Sequence, residues 1–365
     1  MLPYAASQTG SMQIDFHHGV TYVCARLAGF EHLDASIVAH SAQYVDDSTQ
    51  AGLIRFDNGA MFDRMSSAHK MLDYRNFREL ANYKVWIPFH FLPGNGGLPV
   101  GQDPPGTFIE KLICRPNSPV AQAMVQECLE QRYRSYGLHR LGITMHVFAD
   151  TWAHQGFAGV SHEINGAREL VDGDGRPDQS LMNRLKGFFI GGALPLGHGT
   201  VLSNPDRPYL RWGYTNGRGE KISRDNPRDF LTAADEMCRA MQRYIEGDPD
   251  APAPGLPEAD KAKIAALFET TMGEATHRHR QWIAHIAQGD FSFGPAEVSY
   301  VANGLGSWKQ KALGLIGEGD RKDLRLASYS PAFLTSNWKF FHDALRAHHF
   351  YVIHDLLPQY GICVA

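Results

Sequence analysis

Residues 138–154 read LHRLGITMHVFADTWAH, and this stretch contains the strongest pattern in the sequence. His146, Asp150 and His154 recur at every fourth position, so they drift only about 80° around a helix and share one face. The rest of the stretch is largely apolar, which predicts a buried helix. Buried imidazoles and a buried carboxylate cost free energy unless they are paired. A metal ion is the simplest partner for them, and a His–Asp–His hydrogen-bonded core network is the alternative.

Helical periodicity also dominates outside this stretch, so the predicted fold class is mainly α. Asp34 is the predicted N-cap of the second helix, and Ser118-Pro119 and Asn226-Pro227 each combine a cap with a proline at a helix start. Strand signals are few and short. The predicted helices cover residues 17–27, 33–44, 65–83, 119–137, 138–154, 226–245, 257–286 and 334–357.

Proline- and glycine-rich connections divide the chain. We expect an N-terminal extension over residues 1–14 and a metal-binding helical core over residues 15–245. A loop insertion at 156–226 is longer than an ordinary connection and is typical of a functional loop. Residues 246–257 are predicted to be an exposed linker. Residues 258–365 are predicted to form C-terminal helices that pack on the core.

Composition excludes several classes of protein. The chain of 365 residues is 43% hydrophobic and 20% charged, which is ordinary for a folded globular protein. Its 35 Lys and Arg against 39 Asp and Glu give a net charge of −4, so no stable nucleic-acid partner is expected. Five widely spaced cysteines indicate reduced thiols.

Cellular location follows from the absence of two signals. No window is apolar enough to span a membrane, and no secretory signal opens the chain. We therefore expect a cytoplasmic protein, or one exported without a cleaved signal peptide. The oligomeric state stays open.

Further candidate ligands lie outside the 138–154 stretch. Each has a simpler local interpretation. Asp15 would cap a helix that has His17 on its surface, and Asp46 would lie in a solvated turn. His90 and His198 would each be a core histidine whose hydrogen bonds are satisfied. Paired acids at a helix C-terminus oppose the helix dipole and favour a cation there. His18 and Asp47 are open alternatives to their neighbours His17 and Asp46. The candidates are Asp15, His17, Asp46, His90, His198 and Asp206.

Together these residues resemble the zinc-dependent phospholipase C and S1/P1 nuclease superfamily. That group is helical and binds three zinc ions through ligands in the same order along the chain. The resemblance implies metal binding by His17, Asp46, His90, His146, Asp150, His154, His198 and Asp206.

Three features depart from the superfamily pattern. The family uses the amine of its mature N-terminus as a ligand, whereas here fourteen residues precede Asp15, which offers a carboxylate instead. His154 follows Asp150 by four residues rather than six. His198 and Asp206 are eight residues apart, so the family's late His-x-x-x-Asp is not intact. The Asp-Phe-His start and the Ala-His-Gln-Gly-Phe segment also resemble a bacterial family without an assigned function.

The resemblance implies two or three zinc ions, with manganese or iron as alternatives for the same nitrogen and oxygen ligands. Asp46 and Asp150 are the expected catalytic residues, because carboxylates can bridge two ions that activate water. Arg207 and Arg211 are expected to bind the phosphate of the substrate, and a solvated surface loop is the alternative interpretation of these two residues. We expect a phosphoester hydrolase that prefers phospholipid, and a nuclease is a further possibility.

A second hypothesis comes from a different class. The same cluster would suit a non-catalytic, metal-stabilised interaction protein, for instance a delivered toxin component. His342, His349 and His354 are interpreted mainly as packing residues, because their pattern lacks the distant acid that an HD-type phosphohydrolase needs. Metal content together with phosphodiester hydrolysis separates the two hypotheses.

Overall fold

The computed structural model describes residues 13–68, 79–177, 197, 199–201, 203–314 and 326–364. The described chain is mainly helical, as predicted. Its helices are α1 (Thr21–Ala28), α2 (His32–Asp47), α3 (Glu79–Phe89), α4 (Phe108–Leu112), α5 (Pro119–Glu130), α6 (Gly137–Ala153), α7 (Asn226–Glu246), α8 (Glu258–Thr270), α9 (Ala275–Gln288), α10 (Trp308–Leu313), α11 (Asn337–Phe350) and α12 (Leu357–Gln359).

Two π-helical segments adjoin these helices: Asp15–Val20 leads into α1, and Tyr351–Leu356 follows α11. The strands form two small antiparallel sheets. One pairs β1 (Gly52–Arg55) with β2 (Met61–Arg64), and the other has the order β3 (Ala167–Asp172), β4 (Arg211–Asn216), β5 (Lys221–Asp225).

Helix α6 is the centre of the molecule. It packs against α2, α5, α7 and α11, and nearly every one of its side chains is buried. A helix that is apolar around its whole circumference must lie inside the fold. The 138–154 stretch therefore brings His146, Asp150 and His154 into the core, as its sequence predicts.

The predicted loop insertion contains the three-stranded sheet. Aromatic residues of β4 pack on the residues that flank the end of α3, in a cluster that includes Trp86, Phe91, Phe157, Trp212 and Tyr214. This sheet covers the side of the core where α3 and α6 both end.

Several predicted helix bounds are corrected. The predicted helix at 257–286 is two helices, α8 and α9, separated by Thr271–Glu274, where Gly273 has a φ of 93° that helical backbone does not adopt. Helix α2 begins at His32 with Glu31 as its N-cap, so Asp34 lies in the first turn instead of capping.

Two further helix predictions also change. Of the predicted helix 65–83, residues 65–68 are not helical, residues 69–78 lie outside the described part, and α3 covers only the end. The helix predicted for 119–137 ends at Glu130.

The segment 246–257 runs back along α7. Arg239 donates a hydrogen bond to the carbonyl of Ala253, and the amide of Leu256 donates one to Asp235. Leu256 is buried, so the segment packs on the fold although parts of it are exposed.

Among the described residues, no helix combines the length and the apolar character needed to cross a membrane.

Candidate metal centre

Helix α6 and its C-cap residue supply three polar side chains of one cluster, His146, Asp150 and His154, and each is fully buried. His146 is oriented by its neighbour α2, because its Nδ1 lies 2.8 Å from the carbonyl oxygen of Ala42. A carbonyl oxygen only accepts hydrogen bonds, so Nδ1 of His146 must carry the proton. Its Nε2 then offers a lone pair to the interior of the cluster.

His90 follows α3 directly and faces the same interior. Its Nε2 lies 2.9 Å from the carbonyl oxygen of Ser67, so in the neutral ring Nε2 donates and Nδ1 offers a lone pair. The carbonyl of His90 itself accepts from Nδ1 of His154, at 2.6 Å. Backbone carbonyls therefore fix the tautomers of three imidazoles, which is how metal-binding histidines are usually held.

Three ligand atoms form a nearly equilateral triangle. His90 Nδ1 lies 3.3 Å from His146 Nε2, and Asp150 Oδ2 lies 3.5 Å from the former and 3.4 Å from the latter. Two atoms bound to a tetrahedral zinc ion at about 2.0–2.1 Å are about 3.3–3.4 Å apart. The triangle has the size of one face of such a tetrahedron.

The two nitrogens of this triangle are both acceptors when the rings are neutral, so their close approach is repulsive without a cation. Both oxygens of Asp150 are buried, and neither accepts a hydrogen bond with acceptable geometry from the described residues. A buried carboxylate in such surroundings needs a positive partner. These residues therefore fit a divalent ion.

The second oxygen of Asp150 faces His17. Asp150 Oδ1 lies 3.3 Å from His17 Nε2, and the ring of His17 stacks on that of His146 with centroids 3.8 Å apart. His17 lies in the π-helical segment Asp15–Val20, a geometry that is rare and concentrated at functional sites. One carboxylate thus faces two groups of imidazoles through its two oxygens, as a bridging ligand does.

Asp46 and Asp206 border the cluster on two sides. Asp46 Oδ1 lies 3.8 Å from His90 Nδ1 and 3.9 Å from His146 Nε2. Ligand atoms of His17, Asp46 and His146 also lie close enough together to share an ion. On the other side, Asp206 Oδ1 lies 3.8 Å from His154 Nε2.

Burial governs the protonation of the imidazoles. It lowers the pKa of His17 and His90, and it lowers that of His146 to about 4. For His154, burial lowers the pKa but the carboxylates of Asp150 and Asp206 outweigh it, and the net direction is upward.

Burial also acts on Asp150, in the opposite sense. It raises the pKa of this carboxyl, but the surrounding imidazoles outweigh it and hold the value well below the usual range. The cluster is therefore electron-rich: three carboxylates surround rings that are mostly neutral.

Some predicted site residues lie elsewhere. Asp15 forms a buried two-point ion pair with Arg278, with Nε and Nη2 of the arginine 2.6 and 3.0 Å from its oxygens. The exposed side chain of Arg211 pairs with Glu269 and Asp225. Neither residue contacts the cluster among the described contacts, so we leave both out of the proposed site.

The remaining predicted residues are placed as follows. Arg207 follows Asp206 and is half-buried. His198 lies outside the described residues. Asp47 accepts a hydrogen bond from Tyr300, and His18 contacts His279, so both face away from the triangle.

The sequence patterns did not identify one residue that supports the cluster. Arg224 is buried, and its Nη2 donates to the carbonyls of Trp152 and Ala153 at 3.0 and 3.2 Å. It thereby caps the last turn of α6 immediately before His154. Its position in a strand 70 residues beyond α6 gave no local signal.

His342 behaves as the packing residue that the sequence predicts. Its Nδ1 accepts a hydrogen bond from the amide of Met65, and its ring packs on Trp338.

Comparison with known proteins adds the family but no activity. The model of a family of unknown function, DUF6765, matches residues 12–356, which is nearly the whole chain. No curated protein and no solved structure matches the chain. The chain therefore belongs to the family of unknown function DUF6765.

Proposed function

We propose that the protein is a metal-dependent hydrolase of phosphoesters, with zinc as the first candidate ion and manganese or iron as alternatives. The observation that carries the proposal is the triangle of His90 Nδ1, His146 Nε2 and Asp150 Oδ2, whose edges are 3.3–3.5 Å. Three protein ligands with a fourth position left for water are typical of a catalytic zinc ion, whereas structural zinc ions have four protein ligands.

Asp150 is the proposed centre of a site for two or three ions. Its Oδ2 faces His90 and His146, and its Oδ1 faces His17. Divalent ions held there would lower the pKa of bound water and stabilise negative charge on phosphoester oxygens. The protein residues would fix the separation of the ions and keep the imidazoles neutral and correctly turned.

Charge balance supports an anionic substrate. The carboxylates of Asp46, Asp150 and Asp206 carry three negative charges, and two divalent ions would turn this into a net charge of +1. Asp46 has 10% of its side chain exposed, whereas those of Asp150 and Asp206 are fully buried, so the substrate is proposed to approach from the Asp46 side. Arg207 adjoins Asp206 on the other side of the cluster, so it is left out of the proposed entry side.

Phospholipid is the preferred substrate class within the proposal. The net charge of −4 disfavours a long polyanion such as a nucleic acid. The resemblance to the phospholipase C and S1/P1 nuclease superfamily covers both substrates, so both belong in the assay.

The test combines elemental analysis with hydrolysis assays. Purified protein should contain at least two equivalents of a divalent transition metal and should hydrolyse a chromogenic phosphodiester or phosphatidylcholine vesicles, with single-stranded DNA as the third substrate. Asp260→Asn is the control, because Asp260 is a buried carboxylate that bonds to Ser292 away from the cluster. Protein without stoichiometric metal would overturn the proposal.

The second candidate is a non-catalytic, metal-stabilised interaction protein. The deep burial of His17, His146 and Asp150 favours it, because the ligands of structural metal sites are closed off from solvent. Stoichiometric metal without hydrolysis of any of the three substrates would support this candidate over the hydrolase.

A further inference from the structure

Tyr300 connects the C-terminal third of the chain to the rim of the metal centre. It lies in the stretch between α9 and α10, which has no regular secondary structure. Its hydroxyl donates a hydrogen bond to Asp47 Oδ2, at 2.5 Å. Asp47 is the neighbour of Asp46 at the end of α2, so the contact reaches the side of the cluster proposed for substrate entry.

The ring of Tyr300 is held by two imidazoles. Its centroid lies 4.6 Å from that of His40 and 5.3 Å from that of His18. His40 is in turn stacked on Trp308, with centroids 3.8 Å apart and planes at 19°. Contacts with two imidazole rings restrict the orientation of the Tyr300 ring, and with it the position of the hydroxyl that donates to Asp47.

Gln43 carries the constraint from Asp47 to Asp46. The three residues lie on one turn of α2, and the side-chain amide nitrogen of Gln43 lies 3.2 Å from Asp47 Oδ2 and 3.5 Å from Asp46 Oδ2. With Oδ2 of Asp46 held in this way, its Oδ1 points at His90 and His146. The order of contacts is Tyr300, Asp47, Gln43, Asp46.

We infer that Tyr300 is a positioning residue that sets the affinity of the ion bound by Asp46 together with His90 and His146. The inference rests on the proposed metal centre but not on its catalytic activity. Asp150 Oδ1 and His17 face each other on the other side of the Asp150 carboxylate, and Asp150 contacts only imidazoles among its described side-chain neighbours. Loss of the Tyr300 hydroxyl should therefore weaken the ion bound by Asp46 more than an ion held by Asp150 Oδ1 and His17.

The experiment uses the full-length protein loaded with zinc. Wild type and Tyr300→Phe are dialysed against increasing concentrations of a competing chelator, and the zinc retained per chain is measured. Hydrogen-bond partners of metal ligands typically contribute about 10–100-fold to affinity. Tyr300 acts through such a partner, Gln43, so the lower end of this range applies. Tyr300→Phe should therefore release one equivalent at about tenfold less chelator and the others as wild type does.

Tyr22→Phe is the matched control. Its hydroxyl also forms a short side-chain hydrogen bond, 2.8 Å to His32 Nδ1, and none of its contacts with described residues reaches the cluster. This variant should release zinc as wild type does. Asp47→Ala removes the contacts with both Tyr300 and Gln43, so its effect should be at least as large as that of Tyr300→Phe. Adding Tyr300→Phe to Asp47→Ala should cause no further loss, because the Tyr300 bond is already broken.

Four outcomes are distinguishable. Wild-type retention by Tyr300→Phe, or an equal loss in Tyr22→Phe, would overturn the inference. A wild type that binds no zinc would overturn both the inference and the proposed function. Zinc release as predicted together with no phosphoester hydrolysis would uphold the inference and overturn only the hydrolase.

Discussion

Among single residues, Asp150 has the most unusual surroundings. Four imidazole nitrogens lie within 3.3–3.6 Å of its oxygens, from His17, His90, His146 and His154. Asp150→Asn keeps the shape of the side chain but replaces one oxygen by a nitrogen that cannot bind a cation. We expect loss of at least one metal equivalent and a fall in hydrolysis of about 10³-fold, equivalent to about 4 kcal/mol of transition-state stabilisation.

The measurements for Asp150→Asn are metal content and the hydrolysis rate, with Asp260→Asn as the control for amidation of a buried carboxylate. The control should keep both values. Full metal content and full activity in Asp150→Asn would show that the cluster is held together by hydrogen bonds alone.

For Asp15 we expect a loss of stability without a loss of metal, in contrast to Asp150. Its partner Arg278 is 1% exposed and donates to Asp15 through two nitrogens. Asp15→Ala would leave a buried arginine without its carboxylate, which typically costs about 3–5 kcal/mol. We expect a clearly lower free energy of unfolding, measured by denaturant titration, with unchanged metal content. A lost metal equivalent would instead restore Asp15 to the ligand set.

These residues show what sequence reasoning can reach. The fourfold spacing of His146, Asp150 and His154 places them on one face of one helix, because helix geometry alone determines it. The role of Asp15 depends on Arg278, which lies 263 residues further along the chain. The periodicity of apolar residues within one segment cannot predict an ion pair between two segments that are far apart in the sequence. The hydrogen bond from Tyr300 to Asp47 spans 253 residues and could not be predicted from the sequence for the same reason.

At the scale of elements, the close crossing of α2 and α6 assembles the site. A methyl group on Gly142 would lie 2.4 Å from the carbonyl oxygen of Val38 and 2.5 Å from the side chain of Ser41. Only glycine lets α6 come this near, and the approach allows His146 to donate to the carbonyl of Ala42.

Gly142→Ala should push the two helices apart. Overpacking of this kind typically costs about 1–3 kcal/mol, and the displaced His146 should also bind metal more weakly. Thermal unfolding and zinc retention measure the two effects. A variant with the wild-type melting temperature would mean that α2 and α6 can separate without loss, and that their crossing does not position the site.

The sequence predicted the helices better than their ends. Periodic apolar residues identify α6 and α7, because burial requires one apolar face whatever the neighbours are. The break between α8 and α9 depends on a single glycine, Gly273, with a positive φ. Helices often tolerate a glycine, so the apolar periodicity on both sides of Gly273 predicted one continuous helix. The π-helical turn at Asp15–Val20 has no sequence signature at all.

At the scale of the whole molecule, the centre joins distant parts of the chain. His17 comes from the first described turn, Asp46 from α2, His90 from the residue after α3, and His146 and Asp150 from α6. An ion bound by all of these links the N-terminal helices to the central helix. Loss of the ion should therefore lower the stability of the whole fold rather than loosen one loop.

Removal of metal should therefore lower the melting temperature of the intact protein. Without ions, buried carboxylates lose their positive partners, and the binding free energy that contributed to folding is lost. A site at a free ion concentration about 1,000 times its Kd contributes about 4 kcal/mol, so a decrease of at least about 5 °C is expected on adding a strong chelator. Readdition of zinc should restore the original value.

Asp150→Asn provides the internal comparison. If the stabilisation comes from ions at this cluster, the melting temperature of the variant should respond much less to the chelator, because fewer ions remain to be removed. Asp260→Asn should respond as strongly as wild type, even if its own melting temperature is lower, because its cluster is intact. An equal response in all three proteins would place the stabilising metal somewhere other than between His90, His146 and Asp150.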